Sequence, residues 1–211
     1  MIKKILLATK NQHKRKEIEA FLLPLGIQVL SLDELCIDLP DEVENQPTYS
    51  ENAKAKCCYI AGYSKLPILA DDSGLEIPAL EGKPGIFSAR YTGTGIDQDN
   101  RNKILWEMKD LKDKQRDAYF VCFLCFFYEN QYYFFEGISK GRILSYERGA
   151  LGFGYDSLFE CAIFHKTYAE LTFQEKLSVS HRGAAMKKFQ EWLQTEKIPK
   201  VGLEPTKGCP H

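Results

Sequence analysis

Residues 118 to 128 carry only apolar and aromatic side chains, a strand's length of chain with no polar face. On an extended backbone alternate residues point to opposite sides, so Phe120, Cys122, Leu124 and Phe126 share one face and Val121, Phe123, Cys125 and Phe127 the other. Such a strand is stable only where both faces are covered, which places it at the centre of a sheet layered by helices. Asp117 to Tyr128 and Gln131 to Gly137 then form a hairpin about Glu129-Asn130. The aromatics Phe126, Phe127, Tyr132, Tyr133, Phe134 and Phe135 are, at strand spacing, core or a subunit interface.

Strand and helix signals alternate along the rest of the chain. Lys4 to Thr9 reads as a strand, and Lys14 to Leu23, with Ile18, Phe21 and Leu22 at helical spacing, as a helix. Thr48 and Glu51 have the form of a capping box that opens a second helix running to about Tyr63. Pro67 to Asp71 is a strand, Gln98 to Met108 a helix, and Arg182 to about Lys197 a last helix with Met186, Phe189, Trp192 and Leu193 on one stripe. No linker or repeat divides the 211 residues, which read as one α/β domain over 1–197 with a flexible tail over 198–211.

A net charge of -1 provides no general field for nucleic acid or an anionic membrane, so any polyanion must meet a local cluster of Lys and Arg. No segment reaches membrane-spanning length, the opening residues are too short an apolar run for a signal peptide, and seven scattered cysteines fit a reducing, cytoplasmic setting. Cys122 and Cys125 have the spacing of a metal knuckle, yet on a strand they face opposite ways and read as core. Cys209 and His211 fall in the tail.

Chemistry concentrates elsewhere. The apolar run Leu69-Ala70 breaks into Asp71-Asp72-Ser73-Gly74, as if a buried strand ended by delivering two acids to a turn that a divalent metal can reach. Thr9, Lys10, Asn11, Gln12, His13 and Lys14 form a polar strand-to-helix loop, where helix N–H groups and Lys14 favour phosphate. Glu44 lies in an acidic loop before the second helix and is a second metal-ligand candidate, whereas Glu51 is explained by capping. Gly152, Phe153, Gly154, Tyr155 and Asp156 combine two glycines with two rings two apart, a surface for a planar base. Lys176, His181 and Arg182 gather donors near the start of the last helix, which Ser180 caps.

Taken in order, Thr9, Asn11, Lys14 and Glu17; Thr48 to Ala53 with Lys56; Ala70 to Leu75; Pro84 to Tyr91; Gly152 to Asp156; and Ser180 to Arg182 resemble the inosine triphosphate pyrophosphatase family over residues 1 to about 195. The resemblance implies an elongated mixed β-sheet with flanking helices, two lobes around a substrate cleft, and a homodimer. It implies a Mg2+-dependent hydrolase that cleaves ITP, dITP and XTP to the monophosphate and pyrophosphate. By similarity Asp72 is catalytic and binds metal, Glu44 is a second ligand, and Ser73 contacts substrate. The Thr9 to Lys14 loop with Lys56 and Lys176 would hold the triphosphate, and Phe153 to Asp156 with His181 and Arg182 the base.

Physical chemistry supports these roles. Triphosphate hydrolysis builds charge on phosphoryl oxygens, which a metal on carboxylates and several lysines can stabilise while one acid orients water. Inosine and xanthine carry an oxygen at C6 where adenine carries an amino group, so donors such as Arg182 would discriminate between them. The chain departs from the family pattern at Lys10, Tyr49 and Ser157, and Lys10 adds bulk and charge beside the phosphate loop. Two runner-up readings stand beside the resemblance: a related house-cleaning pyrophosphatase for modified pyrimidine or methylated nucleotides, as in the structurally similar septum-site family, and a catalytically silent nucleotide-binding module, against which Asp71, Asp72, Glu44 and the lysines argue.

Overall fold

The protein is described here by a computed structural model covering residues 2–195. Seven strands run β1 (Lys4–Ala8), β2 (Gln28–Leu30), β3 (Ile68–Glu76), β4 (Asp117–Tyr128), β5 (Gln131–Ile143), β6 (Phe159–Cys161) and β7 (Lys166–Thr167). They order as β2-β1-β3-β4-β5-β6-β7 in one mixed sheet. β1 is parallel to β2 and β3, and the β5-β6 and β6-β7 pairs are antiparallel. The helices are α1 (Gln12–Leu22), α2 (Tyr49–Ala61), α3 (Asp97–Glu107), α4 (Phe173–Val179) and α5 (His181–Thr195). Lys197, the expected end of α5, and the tail with Cys209 and His211 lie outside the described residues.

The chain forms two compact units. One contains the residues up to Asp72, Phe123–Glu136 and those from Ala185 on; the other contains Ser73–Cys122 and Gly137–Ala184. Each has its own core. In the first, Leu6, Ala8, Ile68 and Ala70 pack with Ala53, Cys57 and Ile60 of α2. In the second, Leu75, Ile77, Ile104, Phe120, Leu158, Phe159 and Tyr168 are buried together. β4 is central as its sequence requires, and Cys122 and Cys125 are both core residues.

Two elements run further than expected. β3 does not end at Asp71; it continues through Asp72, Ser73 and Gly74 to Glu76, because Leu75 and Ile77 feed the second core. β5 passes Gly137 and Gly141, and a side chain at Gly141 would stand 2.3 Å from the Glu160 carbonyl of β6, so the glycine there permits pairing instead of ending it. Of the aromatic run, Tyr133 and Phe135 are covered by Trp192 of α5, with ring centroids 4.4 and 6.0 Å away. Tyr132 packs on Phe127 at 4.8 Å, and Phe134 remains 45% exposed.

Phe189 is fully buried and stands 4.8 Å from Phe126 and 5.2 Å from Phe135. Phe189→Ala removes the ring that ties α5 to β4 and β5, and should cost about 3–5 kcal/mol in urea denaturation. A loss below about 1 kcal/mol would mean that the aromatic cluster does not hold this helix.

Candidate active site

In the first unit the site is built by strand alternation. Ile68 and Ala70 of β3 pack on α2 in the core, so Asp72 follows them to that side, while Asp71 points the other way. Asp71 pairs with Lys14 of α1. Asp72 Oδ2 accepts from Asn52 Nδ2 of α2 at 3.0 Å, and its Oδ1 lies 3.6 Å from Lys56 Nζ. Both carboxylates are therefore mid-strand and buried, not in a terminal turn.

Lys56 is the hub. Its ammonium is almost wholly buried and donates to Glu44 Oε1 at 2.7 Å and to the Asp71 carbonyl at 2.6 Å. Burial opposes that charge, but Asp72, Glu44 and Asp71 together outweigh it and raise the lysine pKa. Burial also pushes the Asp72 carboxyl above its ordinary range, against the pull of Lys56 and Lys14. Glu44 ends the 3₁₀ turn Asp41–Glu44 and keeps about a third of its side chain exposed. Asn52 is held in turn by the Gln46 amide, which donates to its Oδ1 at 2.8 Å.

Glu44 and Asp72 offer hard oxygen donors around one point, which suits Mg2+. That ion commonly takes one or two carboxylates and completes its shell with water and substrate phosphates. Among the described residues no cluster of three or more His, Cys, Asp or Glu forms a metal cage. A cation on Glu44 and Asp72 would thus draw its remaining oxygens from elsewhere.

The polar loop before α1 is more self-contained than its sequence implies. Asn11 caps the helix, its Oδ1 accepting from the His13 and Lys14 amides at 2.9 and 3.1 Å, and its own amide donates to Thr9 Oγ1 at 3.2 Å. Gln12 and His13 are exposed, and Lys10 reaches Asp38 at 3.2 Å on the surface. At α2, Thr48 caps as expected, but Glu51 returns to the Thr48 hydroxyl, at 2.7 Å, instead of its amide.

The second unit gathers the remaining candidates. Arg182, 1% exposed, donates from Nη2 to Ser73 Oγ at 2.8 Å. His181 is buried and stacks on Phe120, 4.7 Å between centroids. Ser180 caps α5 by accepting from the Gly183 amide at 3.0 Å. The Gly152 to Asp156 segment is a bent loop, not the extended stretch its spacing suggests, with Gly152 at φ +80 and Gly154 at φ +60. The two rings consequently part. Tyr155 is buried and donates its hydroxyl to the Ser88 carbonyl at 2.8 Å, whereas Phe153 is only half-buried. Asp156 Oδ2 accepts from the Phe153 amide at 2.9 Å and from Lys176 Nζ at 2.6 Å. Lys176, assigned to the triphosphate by resemblance, stands here on separate helix α4, 4.7 Å from the Phe153 ring centre. At Gly152 a Cβ would fall 2.0 Å from Asp156 Oδ2, so only glycine leaves room for that carboxylate.

Asn52 and Ser88 fall within the Thr48 to Ala53 and Pro84 to Tyr91 motifs, but the sequence assigns neither a role. Asn52 acts through a partner twenty residues away, and the Ser88 hydroxyl accepts from the Leu75 amide at 2.8 Å.

Comparison with known proteins agrees with the motifs. The Ham1 family model matches residues 5–192. A dITP/XTP pyrophosphatase of Clostridium perfringens is 42% identical over 200 residues, spanning 91% of this chain and 98% of its own length. A counterpart in Thermus thermophilus is 42% identical over 189 residues, spanning 89% and 90%. Among solved structures, a HAM1 protein from Coxiella burnetii superposes with a TM-score of 0.83 at 36% identity, covering 92% of this chain and all of that one. The Staphylococcus aureus Ham1 protein gives 0.81 at 35%, with the same coverage. Motif order, mixed sheet and near full-length similarity converge, and the chain belongs to the Ham1 family.

Proposed function

We propose that this protein is a Mg2+-dependent pyrophosphatase that hydrolyses ITP, dITP and XTP to the monophosphate and pyrophosphate, clearing non-standard purines from the cytoplasmic nucleotide pool. The observation that carries this reading is the convergence of Glu44 and Asp72 on one buried lysine, Lys56, with Lys14 and Asp71 beside them. Relatives about 40% identical over most of the chain are named for that activity.

In this reading Glu44 and Asp72 hold the metal, which when bound neutralises phosphoryl charge. Asp72 orients the attacking water and accepts its proton. Lys14, Lys56, Thr9, Lys10, Asn11, Gln12 and His13 receive the triphosphate. Any phosphate there must exchange with the bonds Lys14 makes to Asp71 and Asn11 makes to the helix. Ser73, Phe153, Gly154, Asp156, His181 and Arg182 form the base end, with Tyr155 shaping the loop from beneath and Lys176 fixing Asp156. The chain acts as a homodimer, as the family resemblance implies. It takes a small nucleotide and neither nucleic acid nor membrane, as its near-zero net charge favours.

The direct test is pyrophosphate release from ITP, XTP, dUTP and the four standard triphosphates, with and without Mg2+. Fast, Mg2+-dependent turnover of ITP and XTP supports the proposal; preference for dUTP, or no turnover, rejects it. Asp72→Asn, which keeps side-chain volume, should lower kcat on the order of 100-fold or more with the fold intact. Activity within a few-fold of wild type would remove Asp72 from catalysis. Arg182→Ala should raise KM for ITP and narrow the preference over ATP, whereas Lys14→Ala should weaken all triphosphates alike. Equal loss of preference in both variants would contradict this division. Light scattering should give about twice 24.2 kDa, and the monomer mass would exclude the dimer.

A further inference from the structure

Helix α3 carries none of the motif residues, yet its first turns grip the Gly152 to Asp156 loop. The Gly154 amide donates to Asp97 Oδ2 at 2.8 Å, and the Gly154 carbonyl accepts from Arg101 Nη1 at 2.8 Å. These groups belong to the two peptide planes that flank Gly154, so both planes are fixed. Arg101 is itself immobilised: Nη2 donates to Gln98 Oε1 at 2.7 Å, and Nε pairs with Glu147 at 2.9 Å. Glu147 also accepts from Ser157 Oγ at 2.6 Å and from Gln98 Nε2 at 2.8 Å. Burial opposes the Glu147 charge, but the bonds from Ser157 and Gln98 and the Arg101 charge hold its carboxyl below the usual range. Lys176 and Asp156 anchor the opposite side of the loop.

A loop with glycines at 152 and 154 has little intrinsic resistance to rotating its peptides, since glycine takes either sign of φ at similar cost. Gly154 sits at φ +60 with nothing within 4 Å of where a Cβ would stand, and the Asp156 amide donates to the Phe153 carbonyl at 3.1 Å, so hydrogen bonds and not a packed side chain fix the loop. A flipped peptide exchanges an N–H for a C=O on the same side of the chain. Because Asp97 holds the Gly154 N–H and Arg101 the Gly154 C=O, the donor left for a base is the Tyr155 N–H. A flip of the Gly154–Tyr155 peptide would replace that donor, suited to a 6-oxo group, with an acceptor suited to a 6-amino group.

We infer that Asp97 and Arg101 are positioning residues for base selection, clamping both peptides of Gly154 so that the loop keeps the polarity that accepts a 6-oxopurine. This inference rests on the proposal that the loop holds the base. Neither residue touches substrate; both act through backbone that does.

The test compares Asp97→Ala, Asp97→Asn, Arg101→Ala and Arg101→Lys by kcat and KM for ITP and ATP, and by inhibition with inorganic tripolyphosphate, which has no base. Asp97→Ala and Arg101→Ala should each raise KM for ITP about tenfold and lower the ITP-to-ATP ratio of kcat/KM by a similar factor. The kcat for ITP and the tripolyphosphate inhibition constant should stay within about twofold. Asp97→Asn keeps an acceptor oxygen and should stay near wild type, with Arg101→Lys intermediate. An unchanged ITP-to-ATP ratio in the alanine variants overturns the inference, as does tripolyphosphate binding that weakens in step with ITP. If Arg101→Ala melts below the assay temperature, the exposed Asp97 pair decides alone. Wild-type enzyme lacking a preference for ITP over ATP would overturn the base-site reading and this inference with it, whereas a preference kept in every variant overturns this inference only.

Discussion

A lysine ammonium with almost no exposure to water is costly unless its surroundings replace the hydration it loses. Lys56 meets that requirement with a carboxylate from the turn before its own helix, a carbonyl from β3 and a second carboxylate from the next residue of that strand. Breaking such a buried cluster by removing one member typically costs about 3–5 kcal/mol, because the remaining charge stays buried without compensation. The same arrangement gives the site its chemistry. It draws Glu44 and Asp72 toward the Lys56 ammonium and, under the proposed function, holds them there before any phosphate arrives.

The two carboxylates are separated by strand geometry. Consecutive residues on β3 face opposite sides, so Asp71 meets Lys14 of α1 and Asp72 meets Asn52 and Lys56 of α2. Had the strand ended at Asp71, both acids could have shared one solvated turn, and their environments would have been similar. Because it continues to Glu76, Asp72 is buried, which raises its pKa while Lys56 and Lys14 still favour its charged form. Under the proposed function this holds the groups in place before the reaction begins.

Much of this was legible in the residues, and the reasons differ by element. The two-faced apolar run of β4 fixed its central place, and the hairpin turn at Glu129 and Asn130, both at positive φ, followed from the pattern around it. Thr48 and Ser180 were readable as caps because capping is local chemistry. What could not be read depends on distant partners. Strand β3 outran its apparent stop since Leu75 and Ile77 enter a core made by residues far along the chain. Phe153 and Tyr155 look equivalent in sequence, but positive φ at Gly152 and Gly154 bends the loop and sends only Tyr155 inward, onto Ser88. Asp97 and Arg101 bear on the loop through backbone groups of Gly154, which leave no side-chain signature.

The central claim is that the carboxylate and lysine cluster around Lys56 exists to receive a metal-bound triphosphate carrying a 6-oxopurine. Isothermal calorimetry with an ITP analogue bridged by methylene between its α and β phosphates, which cannot be cleaved there, addresses it most directly. The account predicts one site per chain that strengthens markedly when Mg2+ is added and binds the matching ATP analogue far more weakly. Equal affinity for the two analogues, or binding indifferent to Mg2+, would contradict it.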